Sequence, residues 1–470
     1  MWRRQGTRSL VFALALVAPR LSAQSNDEIN SGIQFDFSPP GARSLALGGA
    51  FLGLVDDATA AYSNPAGLSN LTRPDLGIEA RFTNNTSRFT RRGHVPSDGT
   101  TGVGVDTVVG LERGGVEDRT VGLSFLSYVY PKDRWAVAFY RHELANFEAR
   151  IESEGPFIGR EGPIRVFPAK SEMDLLIENY GVSGSVKVGP RFSLGAGLVW
   201  SDFSLASLTR RFHLADERLP ADQPANLAPG GFFGPADFSA ANVFNTQVQR
   251  GEDGDLAWQA GFLWQASDVW SLGGVYRRGP EFSYRADFIY GPKAEATGVA
   301  RDGERATRNG AGVAIGGRGR FHVPDAFGLG IAVRPTYRLQ LTLDVQRVLY
   351  SQLTDPLVNL LQVVTPEQLR KFKVEDAIEI RGGIEYVLIR DRPVALRLGA
   401  WYDPDHQIRF ASEDPRELLL TTRFGAGRDE VHVSGGVGLY LGAEKRYKLD
   451  AAVDFSGRTD TASLSIATKF

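Results

Sequence analysis

Apolar and polar residues alternate with a period of two in many stretches of this sequence, each about ten residues long. In the clearest stretch, 377–388, Ile378, Ile380 and Ile384 fall on one face, while Glu379 and Arg381 fall on the other. Successive side chains of a β-strand point to opposite faces, so one face must meet an apolar phase and the other a polar one. The pattern therefore predicts an all-β fold.

The connections between these stretches distinguish a membrane barrel from a soluble sandwich. We count about fourteen stretches between Asp75 and Phe470, an even number, as a bacterial barrel requires. Short turns alternate with long connections, which is typical of outer-membrane barrels, whereas a soluble domain rarely has so many long loops. The sequence predicts a transmembrane antiparallel β-barrel with strands at 75–86, 119–131, 133–147, 173–189, 191–209, 256–267, 269–290, 322–335, 337–351, 376–389, 393–403, 431–443, 446–456 and 460–470.

The turns and the tryptophans refine this prediction. We predict that the short turns at 131–133, 189–191, 267–268, 335–337, 390–392 and 444–446 face the periplasm and that the long loops face outside. The tryptophans lie near predicted strand ends, as an interfacial aromatic girdle requires: Trp135, Trp200, Trp258, Trp264, Trp270 and Trp401. Aromatics of a soluble β core are the alternative.

Composition excludes several classes of protein. A formal net charge of -2 gives no strong attraction to nucleic acid. The absence of Cys excludes disulfides, catalytic thiols and zinc–thiolate sites, and six scattered His make a metal site unexpected. No Ser-His-Asp arrangement sits on a strand–turn–helix elbow. We therefore expect neither an enzyme nor a bound metal or cofactor.

The N-terminal residues 1–23 have the form of a secretory signal peptide. Arg3, Arg4 and Arg8 provide the basic region, 10–18 the apolar core, and 21–23 a plausible cleavage site. A buried N-terminal helix is the alternative. The mature chain would begin with the polar stretch 24–38.

Residues 41–71 are rich in small and apolar residues but lack two-residue alternation. We predict a short helix over 55–62 that Asn64 and Pro65 end, because a residue before proline is pushed out of the α region. Gly48 and Gly49 allow the backbone to pack closely within a surrounding structure. A segment like this, before many strands, predicts a compact plug, although an Asn-Pro turn in any domain is the alternative.

The chain resembles the FadL family of outer-membrane transport proteins. The family's Asn-Pro-Ala motif is matched by Asn64, Pro65 and Ala66, and further similarity lies in FHVPDAFGLGIAVRP at 321–335, in 376–383 and in the closing hairpin from 434. Ser63 before the motif and the unmatched stretch 24–40 are departures.

The resemblance implies both an architecture and an activity. Its expected domains are a hatch at 24–74 that fills the lumen and a barrel at 75–470. Its expected activity is passive uptake of hydrophobic molecules, such as long-chain fatty acids or hydrocarbons, across the outer membrane of a Gram-negative-type bacterium. Asn64, Pro65, Ala66, Gly48 and Gly49 would then control the path through the hatch. A related barrel that acts as a protein-secretion shuttle or interaction partner is the alternative.

Two further groups of residues bear on partners. The loop 210–252 carries Phe232, Phe233, Phe238 and Phe244, which predict a greasy groove that collects a hydrophobic small molecule. A cap of mutually packed aromatics is the alternative. Phe470 ends the chain in phase with Leu464 and Ile466, as in strands that the barrel assembly machinery recognises. Outer-membrane lipid is the remaining expected partner.

Overall fold

The computed structural model describes residues 37, 39–94, 99–158, 164–214, 227–290, 314–353, 366–388, 393–414, 417–425, 427–442 and 446–470. The predicted signal peptide and the turn at 390–392 lie outside these residues, and so does most of the turn at 444–446. Within the described residues, no helix has both the length and the apolar character that a membrane crossing needs.

Fourteen antiparallel strands form a closed barrel, in agreement with the predicted fold class. Each strand pairs with the next, and the last pairs with the first from Asp75 opposite Lys469 to Asn85 opposite Thr459. The first seven strands are β1 Asp75–Gly93, β2 Leu111–Pro131, β3 Trp135–Ser153, β4 Ala169–Lys187, β5 Phe192–Phe212, β6 Val243–Trp264 and β7 Trp270–Arg278 with Glu281–Tyr290. The others are β8 Ala314–His322 with Ala326–Val333, β9 Leu339–Val348, β10 Ala377–Val387, β11 Val394–Asp403, β12 Glu430–Leu441, β13 Tyr447–Phe455 and β14 Thr459–Lys469.

The predicted face of each strand is confirmed by burial. In β10, Ile378 and Ile380 are 55% and 46% exposed, whereas Glu379 and Arg381 are each 1% exposed. The apolar face therefore points to lipid and the polar face to the lumen. The prediction that Trp401 belongs to the aromatic girdle is wrong, because its side chain faces inward and is buried.

Several strands extend further toward the long loops than the alternation predicts. β1 continues to Gly93, and β6 begins at Val243, inside the predicted loop 210–252. The predicted strands at 269–290 and 322–335 are each interrupted, at Gly279-Pro280 and at 323–325. Proline has no N–H to donate to a sheet, which explains the first interruption.

Residues 39–74, called here the N-terminal segment, lie inside the barrel. They form two short helices, α1 Ala42–Ala46 and α2 Ala60–Ser63, and a 3-10 helix Pro65–Asn70. The predicted helix at 55–62 is thus shorter and later, although it ends before Asn64 as expected. Most side chains of this segment are buried against the lumen face of the strands. The boundaries of the hatch at 24 and 74 stay a prediction.

Short strands and helices lie in the long connections. Two-stranded ribbons join Phe157–Ile158 to Ile164–Arg165 and Phe372–Lys373 to Arg409–Phe410. Short helices occur as α3 Pro366–Leu369 and α4 Leu418–Arg423, with 3-10 turns at Ala240–Asn242 and Tyr350–Leu353.

Candidate functional site

Asn64 is the fixed corner of the N-terminal segment. Its backbone is extended, with φ -159°, so it ends α2 and opens the 3-10 helix, where Pro65 needs no N–H donor. Its side-chain Nδ2 donates to the carbonyls of Leu52 at 3.2 Å and of Phe262 in β6 at 3.0 Å, while Oδ1 accepts from the Ala66 N–H. Asn64 therefore ties two parts of the segment to the barrel wall.

The wall opposite this corner is built from glycine. A Cβ at Gly195 would overlap the Pro65–Ala66 backbone, and a Cβ at Gly261 would overlap the Asn64 side chain. A Cβ at Gly273 would overlap the Leu52 carbonyl. Glycine inside a strand often marks a place where another backbone approaches closely. The strand glycines on β5, β6 and β7 are such a signal in the sequence, although two-residue alternation does not predict these contacts.

Gly48 and Gly49 also pack against the wall. Both have positive φ, 63° and 76°, a region that favours glycine. A Cβ on Gly48 would overlap the backbone of Ala400 in β11, and one on Gly49 would overlap the Arg381 guanidinium. These positions, predicted to control the path, are therefore close contacts between the segment and the wall.

Arg43 connects the N-terminal segment to a network of buried charges. Its Nε and Nη2 lie 2.9 Å and 3.0 Å from the two carboxylate oxygens of Glu385 in β10. It also pairs with Asp56 and lies 3.8 Å from Asp57 in its own segment. A bidentate arginine–carboxylate pair fixes orientation as well as position.

Charged side chains of the barrel strands complete the same network. Arg397 of β11 pairs with Glu385 at 2.6 Å and with Asp450 of β13 at 2.7 Å, and Lys448 joins Asp450 at 3.0 Å to Asp57 at 3.3 Å. We call this set the ion-pair ring: Arg43, Glu385, Arg397, Asp450, Lys448 and Asp57. Burial raises the pKa of Asp57, but the charges of Lys448 and Arg43 outweigh burial and hold it at about 2. Asp57 is thus charged at neutral pH, and the ring is complete.

Asp344 forms a second contact between the wall and the N-terminal segment. Its Oδ2 accepts from the backbone N–H groups of Phe51 and Leu52 at 2.7 Å and 2.8 Å. On β7, Arg277 donates to the Ser63 carbonyl and lies over the Tyr62 ring at 4.9 Å. Wall side chains thus contact the segment all around the lumen.

An apolar cluster lies in the lumen on the long-loop side of the segment. On β5 the chain passes from Gly195, beside Ala66, to Phe203, which stacks on Phe282 at 4.7 Å and on Phe321 at 5.7 Å. Strands β3, β4, β5, β7, β8, β9 and β10 all contribute buried apolar side chains to this cluster. These side chains give the lumen an apolar surface on this side of the segment.

The pairing between β2 and β3 stops partway along both strands, and we call the unpaired stretch of the wall the window. These strands pair only from Pro131 opposite Ala136 to Phe125 opposite His142, although both continue outward for ten residues or more along fully described chain. Glu143 and Ala145 flank a β-bulge that leaves Leu144 packed against the apolar cluster. The apolar lumen therefore reaches an interruption of the barrel wall.

Contacts bound the window above and below. At the outer end, the Ser153 hydroxyl donates to the Thr90 carbonyl at 2.8 Å. At the inner end, Tyr62 of the N-terminal segment packs on His142 with ring centres 4.2 Å apart. On its edges, the ideal Cβ position of Gly122 lies 3.0 Å from Glu143 Oε2. The segment is thus in contact with the inner border of the window.

Two rings of the predicted aromatic groove pack against Phe157, which lies outside the loop 210–252. Phe232 and Phe233 pack on Phe157 at 5.9 Å and 5.8 Å, and His94 stacks on Phe157 at 5.6 Å. Arg165 Nη1 donates to the Gly231, Phe232 and Gly234 carbonyls, and burial lowers its pKa to about 10. These contacts hold Phe232 and Phe233 against neighbouring chain, and the groove stays a prediction.

The other two predicted groove residues lie apart from these contacts. Phe238 packs edge-on against Phe212 at 5.2 Å, with Lys170 over its ring at 4.5 Å. Phe244 lies in β6 rather than in the loop, because that strand begins one residue earlier, and its side chain is outside the described part.

A cavity of about 150 Å³ lies at the outer end of the lumen. Its apolar lining includes Phe89, Ile151 and Ile408, which also belong to the apolar cluster or pack against it. Its basic lining is formed by Arg88, Arg113, Arg428 and Arg458. Glu430, the acidic residue in the lining, lies 3.6 Å from Arg458. The lining of the cavity thus combines apolar and basic residues.

Replacing Asn64 tests its role as an anchor. We expect Asn64→Ala to lower the free energy of unfolding by about 1–3 kcal/mol, because the Leu52 and Phe262 carbonyls lose a buried donor. Asn70→Ala, in the same segment, removes only a contact with Gln265 and serves as the control. The measurement is urea unfolding in phospholipid vesicles. Equal losses in the two variants would contradict a special role for Asn64.

Known proteins share the sequence pattern and the fold of this chain. Residues 31–409 match the family described as outer membrane protein transport protein (OMPP1/FadL/TodX). A FadL homologue of Pseudomonas aeruginosa has the same fold, with a TM-score of 0.59, 15% identity, and coverage of 93% of this chain and 99% of that chain. The toluene transporters TbuX of Ralstonia pickettii and TodX of P. putida give TM-scores of 0.55 and 0.53 at 14% and 17% identity, with the same coverage. No curated protein sequence matches this chain.

Proposed function

The chain belongs to the OMPP1/FadL/TodX family of outer membrane transport proteins, and we propose that it passes hydrophobic molecules from the cell exterior into its lumen and out through the window between β2 and β3. The observation that carries this proposal is the continuity of the apolar cluster with the window. Leu144 belongs to both, since it lies in the bulge of β3 and packs on the cluster. Such movement needs no energy source, because it runs down a concentration gradient.

The N-terminal segment supports a sideways route. It is held by the ion-pair ring, by Asp344 and by Asn64, so a straight path to the periplasm would have to break buried charge pairs. A buried charge left without its partner costs about 3–5 kcal/mol. In this proposal, residues 24–74 act as the hatch, and Asn64, Pro65, Ala66, Gly48 and Gly49 keep it seated against the inner border of the window.

The outer cavity favours amphipathic anions with an apolar tail, such as long-chain fatty acids, over neutral hydrocarbons. Its lining contains four arginines together with apolar side chains. Arginine donates paired hydrogen bonds that match a carboxylate. The tail would rest on Phe89 and Ile151 and point toward the apolar cluster.

Uptake measurements separate the two substrate classes. We expect Arg88→Gln combined with Arg113→Gln to slow the uptake of labelled oleate by cells while leaving toluene uptake unchanged, because only oleate carries a carboxylate. The control is Arg119→Gln with Arg320→Gln, two arginines with 68% and 71% exposed side chains away from the cavity. Wild-type cells that take up toluene but not oleate would overturn the fatty-acid assignment. Wild-type cells that take up neither would overturn the transport function.

A further inference from the structure

The short-turn end of the barrel is strongly basic. The described turns and strand ends there carry nine Lys and Arg residues but only two exposed acidic residues, Asp133 and Asp268. The basic residues are Arg73, Lys132, Arg134, Lys187, Arg191, Arg334, Arg338, Arg446 and Lys469, which we call the basic rim. Because the whole chain has a formal net charge of -2, acidic residues are in excess elsewhere.

The basic rim lies at the depth of an aromatic belt. Trp135, Trp264 and Trp270, at the same end of their strands, have exposed fractions of 47%, 47% and 51%. Aromatic side chains are enriched where the apolar core of a membrane meets the headgroups. The rim cations therefore lie at headgroup level.

Individual contacts place cations directly beside exposed rings. Lys132 Nζ is 4.8 Å from the centre of the Tyr130 ring. Arg446 Cζ is 5.9 Å from the ring centre of Tyr447 and 5.7 Å from that of Phe470. These side chains extend along the outer surface of the barrel and not into the lumen, because the rings that they contact are themselves exposed.

We propose that the basic rim binds the anionic headgroups of phospholipids in the periplasmic leaflet of the outer membrane. The rim residues occur at four of the short hairpin turns, although not at 267–268, and at both ends of the barrel sequence, so they are spread around the barrel instead of forming one patch. A surrounding ring fits a lipid annulus, whereas a protein partner would need a localised patch. Lys and Arg near a membrane surface attract acidic lipids, and arginine forms paired hydrogen bonds with phosphate.

This surface is separate from the proposed substrate path, which runs through the lumen and the window between β2 and β3. Its effects would be to set the depth of the barrel and to retain a shell of acidic lipid around the periplasmic end. Because the interaction is electrostatic and exposed, it weakens as salt is added.

Lipid selection by the purified full-length barrel tests the proposal. The barrel is equilibrated with equimolar phosphatidylglycerol and phosphatidylcholine of the same chains, and the lipids that stay bound are counted by native mass spectrometry. We expect the wild type to retain several-fold more phosphatidylglycerol. The rim variant Lys132→Gln, Arg134→Gln, Arg446→Gln should retain the two lipids equally.

The control removes three exposed cations from the opposite end, as Arg119→Gln, Lys170→Gln, Arg320→Gln, and should keep the wild-type preference. Folding is checked by heat-dependent gel mobility, and Arg134→Gln alone, with a partial loss expected, replaces the triple variant if that one fails to fold. Equal retention of both lipids by the wild type, or equal loss in rim and control variants, would overturn the proposal. Such a result would favour an acidic periplasmic protein as the partner of the rim.

Discussion

Gly122→Trp is expected to reduce the uptake of a hydrophobic substrate to the level of cells that lack the protein. Gly122 lies on β2 at the edge of the window, between the lipid-exposed residues Val121 and Leu123. A side chain there points to the inner side of the window, where Glu143 already lies 3.0 Å from the ideal Cβ position. An indole at this place fills the opening, whereas the hydrogen-bonded part of the β2–β3 pair, below Phe125, is left intact.

The matched control is Gly115→Trp on the same strand. A Cβ at Gly115 meets only Thr86 Cγ2 at 3.6 Å, an ordinary contact, so the barrel accepts the larger side chain at this more exposed position of the same unpaired stretch. Uptake of labelled oleate and of toluene is measured in cells with equal amounts of folded barrel. Uptake by Gly122→Trp that equals uptake by Gly115→Trp would show that substrates leave by another route.

Glu385→Gln is expected to lower the free energy of unfolding by about 3–5 kcal/mol, because Arg43 and Arg397 lose the carboxylate between them while staying buried. The neutral amide accepts fewer hydrogen bonds than the carboxylate, and it leaves one positive charge uncompensated in the ion-pair ring. The loss should appear first as release of the N-terminal segment, since Arg43 connects α1 to the wall.

A surface pair supplies the control for this measurement. Glu117 pairs with Arg119 at 3.5 Å, and both side chains are more than half exposed. Glu117→Gln should therefore change the free energy of unfolding by less than about 1 kcal/mol. Unfolding by urea in phospholipid vesicles gives both values, and limited proteolysis reports on the segment. A Glu385→Gln barrel as stable as Glu117→Gln would mean that the ring contributes nothing to holding the segment.

Together these two substitutions separate the parts of the proposed path. The first closes the window and leaves the segment anchored, so it should affect uptake without affecting stability. The second loosens the segment and leaves the window open, so it should affect stability first. If straight passage through the hatch were the route, Glu385→Gln would instead raise uptake and Gly122→Trp would not abolish it.

The strand pattern of this protein was determined by local sequence. Alternation between residues such as Ile378 and Glu379 assigned one side of each strand to lipid and the other to the lumen, and the structure confirms both the barrel and its fourteen strands. Asn64 and Pro65 also ended a helix as predicted. These features depend on neighbours in the chain and on two solvents, membrane and lumen, and a single sequence encodes both.

The features that make up the candidate site were decided by the tertiary structure. Alternation says that Glu385 faces inward, but not that it meets Arg43, 342 residues away. It cannot place the window either, because β2 and β3 keep strand geometry on both sides of the point where their pairing stops. Trp401, expected at the interface, faces the lumen and stacks on His432 at 3.9 Å. Such contacts join distant residues across a closed lumen, and only the closed barrel brings them within reach of one another.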